Sequence, residues 1–101
     1  MSRHAPLVED YATSVRFPEV SGFEILELLR LRTRLAEVEQ DLTVTERATV
    51  EAADAAFLQN APALYRQVSQ VASLEALRKD AKVLPSHWWW YLDSLARVPA
   101  A

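Results

Sequence analysis

The sequence predicts an all-α protein, a compact bundle of four to five helices preceded by an extended N-terminal arm. The chain of 101 residues contains one glycine and five prolines, too few for a fold rich in hairpins and tight turns. Apolar residues recur three and four positions apart, which is typical of helices with one buried face. A capping box, in which serine or threonine precedes glutamate by three positions, occurs at Ser21 and at Thr43 and indicates helix starts. The shares of apolar residues, 50%, and of charged residues, 25%, fit one globular domain.

The N-terminal arm is assigned to residues 1–20, ahead of a helical domain at 21–101. The stretch from Tyr11 to Phe17 is rich in β-branched and aromatic residues, which favours extended backbone. A frayed tail is one interpretation, because chain termini are commonly poorly ordered. The other is an arm that packs on its own domain or on a neighbour. The apolar side chains that favour packing are Leu7, Val8, Tyr11, Val15, Phe17 and Val20.

The first predicted helix begins at the capping box of Ser21 and Glu24 and runs from Phe23 to about Gln40. Its apolar residues follow alternating steps of three and four, the spacing of a coiled-coil seam that a dimer could use. The candidates for this dimer seam are Leu28, Leu31, Leu35 and Val38. Glutamates on neighbouring faces can offset the arginines of the helix, which predicts a solvated charged face rather than an anion site. These arginines are Arg30, Arg32 and Arg34.

A break at Thr43 divides the middle of the chain. The capping box of Thr43 and Glu46 predicts a second helix at about 44–59. One long helix from 22 to 59 is the competing interpretation, since no glycine or proline intervenes after Gly22.

A proline in a first turn, Pro62, predicts a third helix at about 61–72. A cap at Ser73 would begin a fourth helix at 74–82. Ser73 is the sole sign of a break between them, so whether these two helices are continuous is left open.

Three consecutive tryptophans, Trp88 to Trp90, lie in the last predicted helix, which is capped by Ser86 and covers residues 87–98. Each residue of an α-helix turns the chain by about 100°, so three successive indoles point in three directions. Trp88 falls on the apolar stripe of this helix, and Trp89 and Trp90 lie on opposite flanks. Either neighbouring helices or the arm cover both flanks, or these rings are exposed anchors for a partner, since exposed aromatic clusters mark interaction sites.

The predicted function is protein–protein interaction without catalysis, as in a small bacterial-type adaptor, an inhibitor or antitoxin-like partner, or a subunit of an assembly. The partner is another protein or a second copy of the chain, which would make a homodimer. Aromatic anchors would supply the affinity and a charged rim the specificity. The predicted partner-binding residues are Trp89, Trp90, Arg97, Tyr11 and Phe17.

Composition argues against several other classes. The net charge of −3 and the pI of about 5.3 disfavour nucleic acid binding, which usually needs a basic surface. The alternative function is a helix-turn-helix DNA-binding regulator over residues 61–82, with Arg78, Lys79 and Lys82 on its second helix. No apolar run reaches the length of a membrane span, and a cytoplasmic protein is expected.

Catalytic and metal-binding signals are weak, so no enzyme, cofactor or metal is predicted. The chain has no cysteine, and its two histidines, His4 and His87, are far apart in the sequence. Glu51 and Asp54 form an i, i+3 carboxylate pair of a kind common on solvated helix faces. An active site would require these carboxylates to meet His87 or Tyr91 in one pocket.

Overall fold

The computed structural model describes residues 3–18 and 20–97, and every regular element in them is helical. The all-α prediction is confirmed. The α-helices are α1 (Ala5–Ser14), α2 (Gly22–Glu37), α3 (Val44–Gln59), α4 (Ala61–Val68), α5 (Leu74–Ala81) and α6 (Leu92–Leu95). Two 3-10 turns, Glu39–Asp41 and Trp88–Trp90, complete the chain order. α2 is central, because α1, α4 and the tryptophan turn all pack against it.

Both capping boxes form as the sequence predicts. The Ser21 hydroxyl accepts a hydrogen bond from the Glu24 amide, and the Glu24 carboxylate accepts one from the Ser21 amide. Thr43 and Glu46 make the same reciprocal pair at the start of α3. α2 and α3 are therefore separate helices, because the box at Thr43 satisfies amides that a continuous helix would bond internally.

The N-terminal arm packs on the domain, but it is helical over Ala5–Ser14 rather than extended. A proline in the first turn fits a helix start, since its missing amide hydrogen would have no partner there. Val8, Tyr11 and Val15 are buried and follow the three- and four-residue steps of a helical stripe. The periodicity of these residues outweighed the β-branched composition of the segment. The side chain of Asn60 also donates a hydrogen bond to the Val15 carbonyl at 2.9 Å, which fixes the end of α1.

Residues 61–82 form two helices rather than one. α4 ends at Val68, a few residues before the predicted boundary, and the Ser73 hydroxyl accepts from the Ala76 amide to cap α5. α5 ends at Ala81, and the φ of 50° and ψ of 49° of the next residue, Lys82, place this C-cap in the left-handed region. That conformation is more usual for glycine, since a Cβ strains it.

The C-terminal segment departs most from its prediction. In place of one helix at 87–98, a 3-10 turn covers the tryptophans, and Tyr91 leaves the helical region with φ −109° and ψ 38° before α6 begins. Ser86 makes no cap, and the predicted end at Val98 lies outside the described residues. The break at Tyr91 separates the tryptophan turn, which packs on α2, from α6, which packs on α4.

Candidate functional site

The tryptophan run is buried within its own protomer. Trp89 is 2% exposed and Trp90 is 8% exposed, while Trp88 is half-buried. The exposure predicted for Trp89 and Trp90 is therefore wrong. The turn lies against α2, and the ring of Trp88 meets Phe57 of α3 edge-on at 5.4 Å, so the protomer's own helices enclose the aromatic run.

One hydroxyl accounts for the placement of two indoles. The Nε1–H groups of Trp89 and Trp90 both donate to Oγ1 of Thr33, each at 2.9 Å. Thr33 in turn donates to the Leu29 carbonyl at 3.0 Å, within α2. Buried indole N–H groups need an acceptor. Thr33 supplies it for both, which holds the C-terminal segment on the central helix.

Next to the tryptophans lies a buried polar cluster of Tyr11, Arg32 and Asp54, one residue from each of α1, α2 and α3. Arg32 donates from Nε and Nη2 to the two Asp54 oxygens at 2.9 and 3.0 Å, and the Tyr11 hydroxyl donates to the same carboxylate. The guanidinium also lies 4.4 Å from the ring centroid of Trp89, a cation–π contact. The cluster therefore joins three helices and the tryptophan turn.

This cluster corrects two predictions. Arg32 is 8% exposed, so it does not belong to a solvated charged face; only Arg30 and Arg34 of the three arginines are exposed. Tyr11 is fully buried, so its side chain is not a surface contact for a partner. Burial, followed by the hydrogen bond to Asp54, raises the pKa of Tyr11 above its ordinary value, which keeps the hydroxyl a donor.

The predicted dimer seam lies inside the bundle. Leu28 and Leu35 are buried in the core, and Leu31 and Val38 are half-buried and pack against it. The coiled-coil spacing is real, but α1 and the other elements packed on α2 occupy that face. These four residues do not form an exposed seam.

Arg97 is exposed, as a rim contact would be, although its i, i+4 spacing from Asp93 is suited to an ion pair between the two. Asp93 instead receives two hydrogen bonds from Arg78, at 2.8 and 3.1 Å, and Arg78 also donates to the Trp90 carbonyl. Hydrogen bonding from Arg78 holds the pKa of Asp93 below its usual range, and the same bond raises the pKa of Arg78. The pair fastens α5 to the C-terminal segment.

The groups that an active site would need are scattered. Asp54 bonds to Arg32 and Tyr11, Glu51 is exposed, and His87 stacks on Trp89 with ring centroids 4.6 Å apart. No hydrogen bond joins these acidic groups to His87 within residues 3–18 and 20–97. In that same part of the chain, no group of three or more acidic or histidine side chains could hold a metal ion.

One of the three basic residues of the predicted helix-turn-helix is engaged within the fold, because Arg78 is paired with Asp93. Lys79 lies 3.6 Å from Glu75, but the two side chains are 77% and 72% exposed, and Lys82 is exposed as well. These three residues therefore present two cationic side chains at the surface rather than three.

An apolar groove lies on the surface between the end of α1 and the start of α2, and is called the Phe17 groove here. Its volume is about 290 Å³. The residues that line it are Thr13, Ser14, Phe17, Val20, Glu24, Ile25 and Leu28. Phe17 is 61% exposed and forms one wall, whereas Ile25 and Leu28 form a buried floor. Of the five predicted partner-binding residues, the structure leaves Phe17 and Arg97 at the surface.

None of the described helices is both long enough and apolar enough to span a bilayer. Comparison of the chain with protein-family models, with curated proteins and with solved structures finds no match.

Proposed function

We propose that this protein is a non-catalytic protein–protein interaction module and that the Phe17 groove is its contact surface. The observation that carries the proposal is the exposure of a phenyl ring, 61%, beside an apolar concave surface. Exposed aromatic side chains next to apolar grooves are typical of interaction sites, where burial of the ring supplies affinity.

The groove is favoured over other exposed apolar residues because its aromatic wall and its floor belong together. Phe23 is 67% exposed, but it does not line the groove. It lies one helical turn from Glu27, which accepts a hydrogen bond from Arg30 at 2.6 Å on the solvent side of α2. Phe23 therefore lies beside a charged pair on α2, whereas Phe17 lies at an apolar groove.

The hydrogen bonds that join α1 to the rest of the bundle support a rigid contact surface. Arg32, Asp54 and Tyr11 tie α1 to α2 and α3, and the Asn60 side chain holds the Val15 carbonyl two residues before Phe17. A preformed surface loses little conformational entropy when a partner binds. The cytoplasmic location and the homodimer remain predictions.

Photo-crosslinking in the cells that produce the protein tests this proposal. Phe17→p-benzoylphenylalanine places the reactive group at the groove, and Phe23→p-benzoylphenylalanine is the matched control of similar exposure on a different face of α2. We expect a protein adduct from position 17 and only background from position 23. Equal adduct from both positions, or none from position 17, would contradict an interaction through this groove.

A further inference from the structure

We infer that the partner at the Phe17 groove is a second copy of this chain, with each Phe17 inserted into the groove of the other protomer. This inference rests on the proposed function and names its partner. Phe17 is both an exposed ring and a wall of the groove, so the same surface offers a projection and a recess. A patch that contains both can pair with its own copy about a two-fold axis.

The groove has room for the ring. A closed apolar cavity of about 150 Å³ accepts benzene. The Phe17 groove, at about 290 Å³, can therefore take a phenyl ring from outside beside the one that already forms its wall. Its deepest residues, Ile25 and Leu28, are apolar, so the entering ring would meet no unpaired buried polar group there.

Charge supports the two-fold arrangement. Arg16 is exposed and lines the neighbouring groove between α1 and α3, whereas Glu24 is exposed and lines the Phe17 groove between α1 and α2. A two-fold axis that passes close to Phe17 and runs across the line from Arg16 to Glu24 brings Arg16 of each protomer toward Glu24 of the other. Opposite charges that meet in this way fix the orientation of the pair.

The dimer is expected to be weak. One phenyl ring and a groove of this size bury less than the roughly 800 Å² per partner that is usual in stable complexes. Association should therefore be reversible and dependent on concentration, in the micromolar to millimolar range that small interfaces reach.

Sedimentation velocity of the purified full chain, up to about 1 mM, measures this dimer. Phe17→Ala removes the inserted ring from both protomers. A loss of about tenfold for each copy, usual for a central aromatic contact, should weaken the dimer about a hundredfold. Phe23→Ala is the control and should leave the dimerisation constant unchanged. Thermal unfolding of each variant at low concentration checks the fold, which the loss of either exposed ring should leave intact.

The charge pairing has its own test. Arg16→Glu should weaken the dimer severalfold, because it places like charges opposite each other. Glu24→Gln retains a side-chain oxygen for the capping box and removes the charge. When Glu24→Gln is already present, Arg16→Glu should therefore weaken the dimer less than it does in the wild-type chain.

The outcomes separate this inference from the proposed function. A wild-type chain that stays monomeric at about 1 mM, or a dimer that Phe17→Ala leaves intact, overturns the self-association. In the crosslinking experiment, an adduct of twice the 11.4 kDa chain mass supports the second copy. An adduct between position 17 and a different protein overturns the second copy while it upholds the interaction function. No adduct at position 17, either in cells or in the purified chain at about 1 mM, contradicts both.

Discussion

Replacement of Thr33 by valine should destabilise the protein far more than the loss of one hydroxyl usually does. Valine keeps the branched shape of threonine, so the packing of the tryptophan turn against this position of α2 is little changed. It removes the acceptor for the Nε1–H groups of Trp89 and Trp90, both 2.9 Å from Oγ1 in the native protein. Both indoles are almost fully buried, so water does not replace the acceptor without rearrangement of the segment.

The expected loss follows from the count of unpaired donors. A buried donor left without a partner costs about 1–3 kcal/mol. Two donors, with partial relaxation of the tryptophan turn, give a loss of about 2–4 kcal/mol, against a usual total stability of about 5–15 kcal/mol. In a domain of this length such a loss lowers Tm by roughly 10–20 °C.

Urea unfolding followed by far-UV circular dichroism measures the effect as a fall in the free energy of unfolding. Thr49→Val is the matched control, because the Thr49 hydroxyl donates to the carbonyl four residues earlier, as Thr33 does, but receives no indole. It should change stability by less than about 0.5 kcal/mol. Thr33→Ser keeps the acceptor and should retain most of the stability. A loss below about 1 kcal/mol in Thr33→Val would show that the two N–H groups do not depend on this hydroxyl.

Three further changes should have defined effects. Lys82→Gly should raise the free energy of unfolding by about 1 kcal/mol in urea titrations, because glycine adopts the observed φ of 50° without strain. Gly22→Ala should lower the Tm, with a cost of about 1–3 kcal/mol, because the added Cβ would lie 2.6 Å from Cγ2 of Val71 and would press on the Gln67 carbonyl. Asp93→Asn should lower stability at pH 7. Because Arg78 depresses the folded-state pKa of Asp93, the wild-type advantage is fully present above the unfolded pKa of about 4, declines below it, and is lost as the pH falls through the lower folded-state pKa. Paired urea titrations should therefore show a smaller advantage at about pH 3 than at about pH 7.

Helix starts at the two capping boxes could be predicted because their causes are local, whereas the cap predicted at Ser86 did not form. A hydroxyl and a carboxylate three residues apart satisfy free amides whatever the rest of the chain does, and both capping boxes formed. The Ser73 cap follows the same reasoning. The arm was harder to predict, because burial of Val8 and Tyr11 against α2 and α3 decided its helical state, and that burial depends on tertiary contacts.

The directions of the indoles could not be predicted, because a turn of about 100° per residue holds only for regular α-helical backbone. The 3-10 turn and the break at Tyr91 redirect two neighbouring side chains toward one acceptor. The acceptor lies in α2, more than fifty residues earlier, and nothing in the local sequence identifies Thr33.

The position of Arg32 in α2 indicated burial, but the two neighbouring arginines obscured this indication. Arg32 lies four residues after Leu28 and three before Leu35, on the buried stripe of α2. Its neighbours Arg30 and Arg34 made it resemble one of a solvated series. The partner that makes burial tolerable, Asp54, comes from another helix, so the sequence alone could not show the pairing.

The placement of all three tryptophans in a single turn makes the protein a selective optical reporter. Their intrinsic fluorescence and near-ultraviolet dichroism arise from the place where the C-terminal segment meets α2, and α1, α4 and α5 contain no indole. Far-ultraviolet signals, by contrast, average over every helix. If the two kinds of signal change at different denaturant concentrations, the C-terminal segment detaches while the remaining helices persist, and unfolding proceeds in two stages.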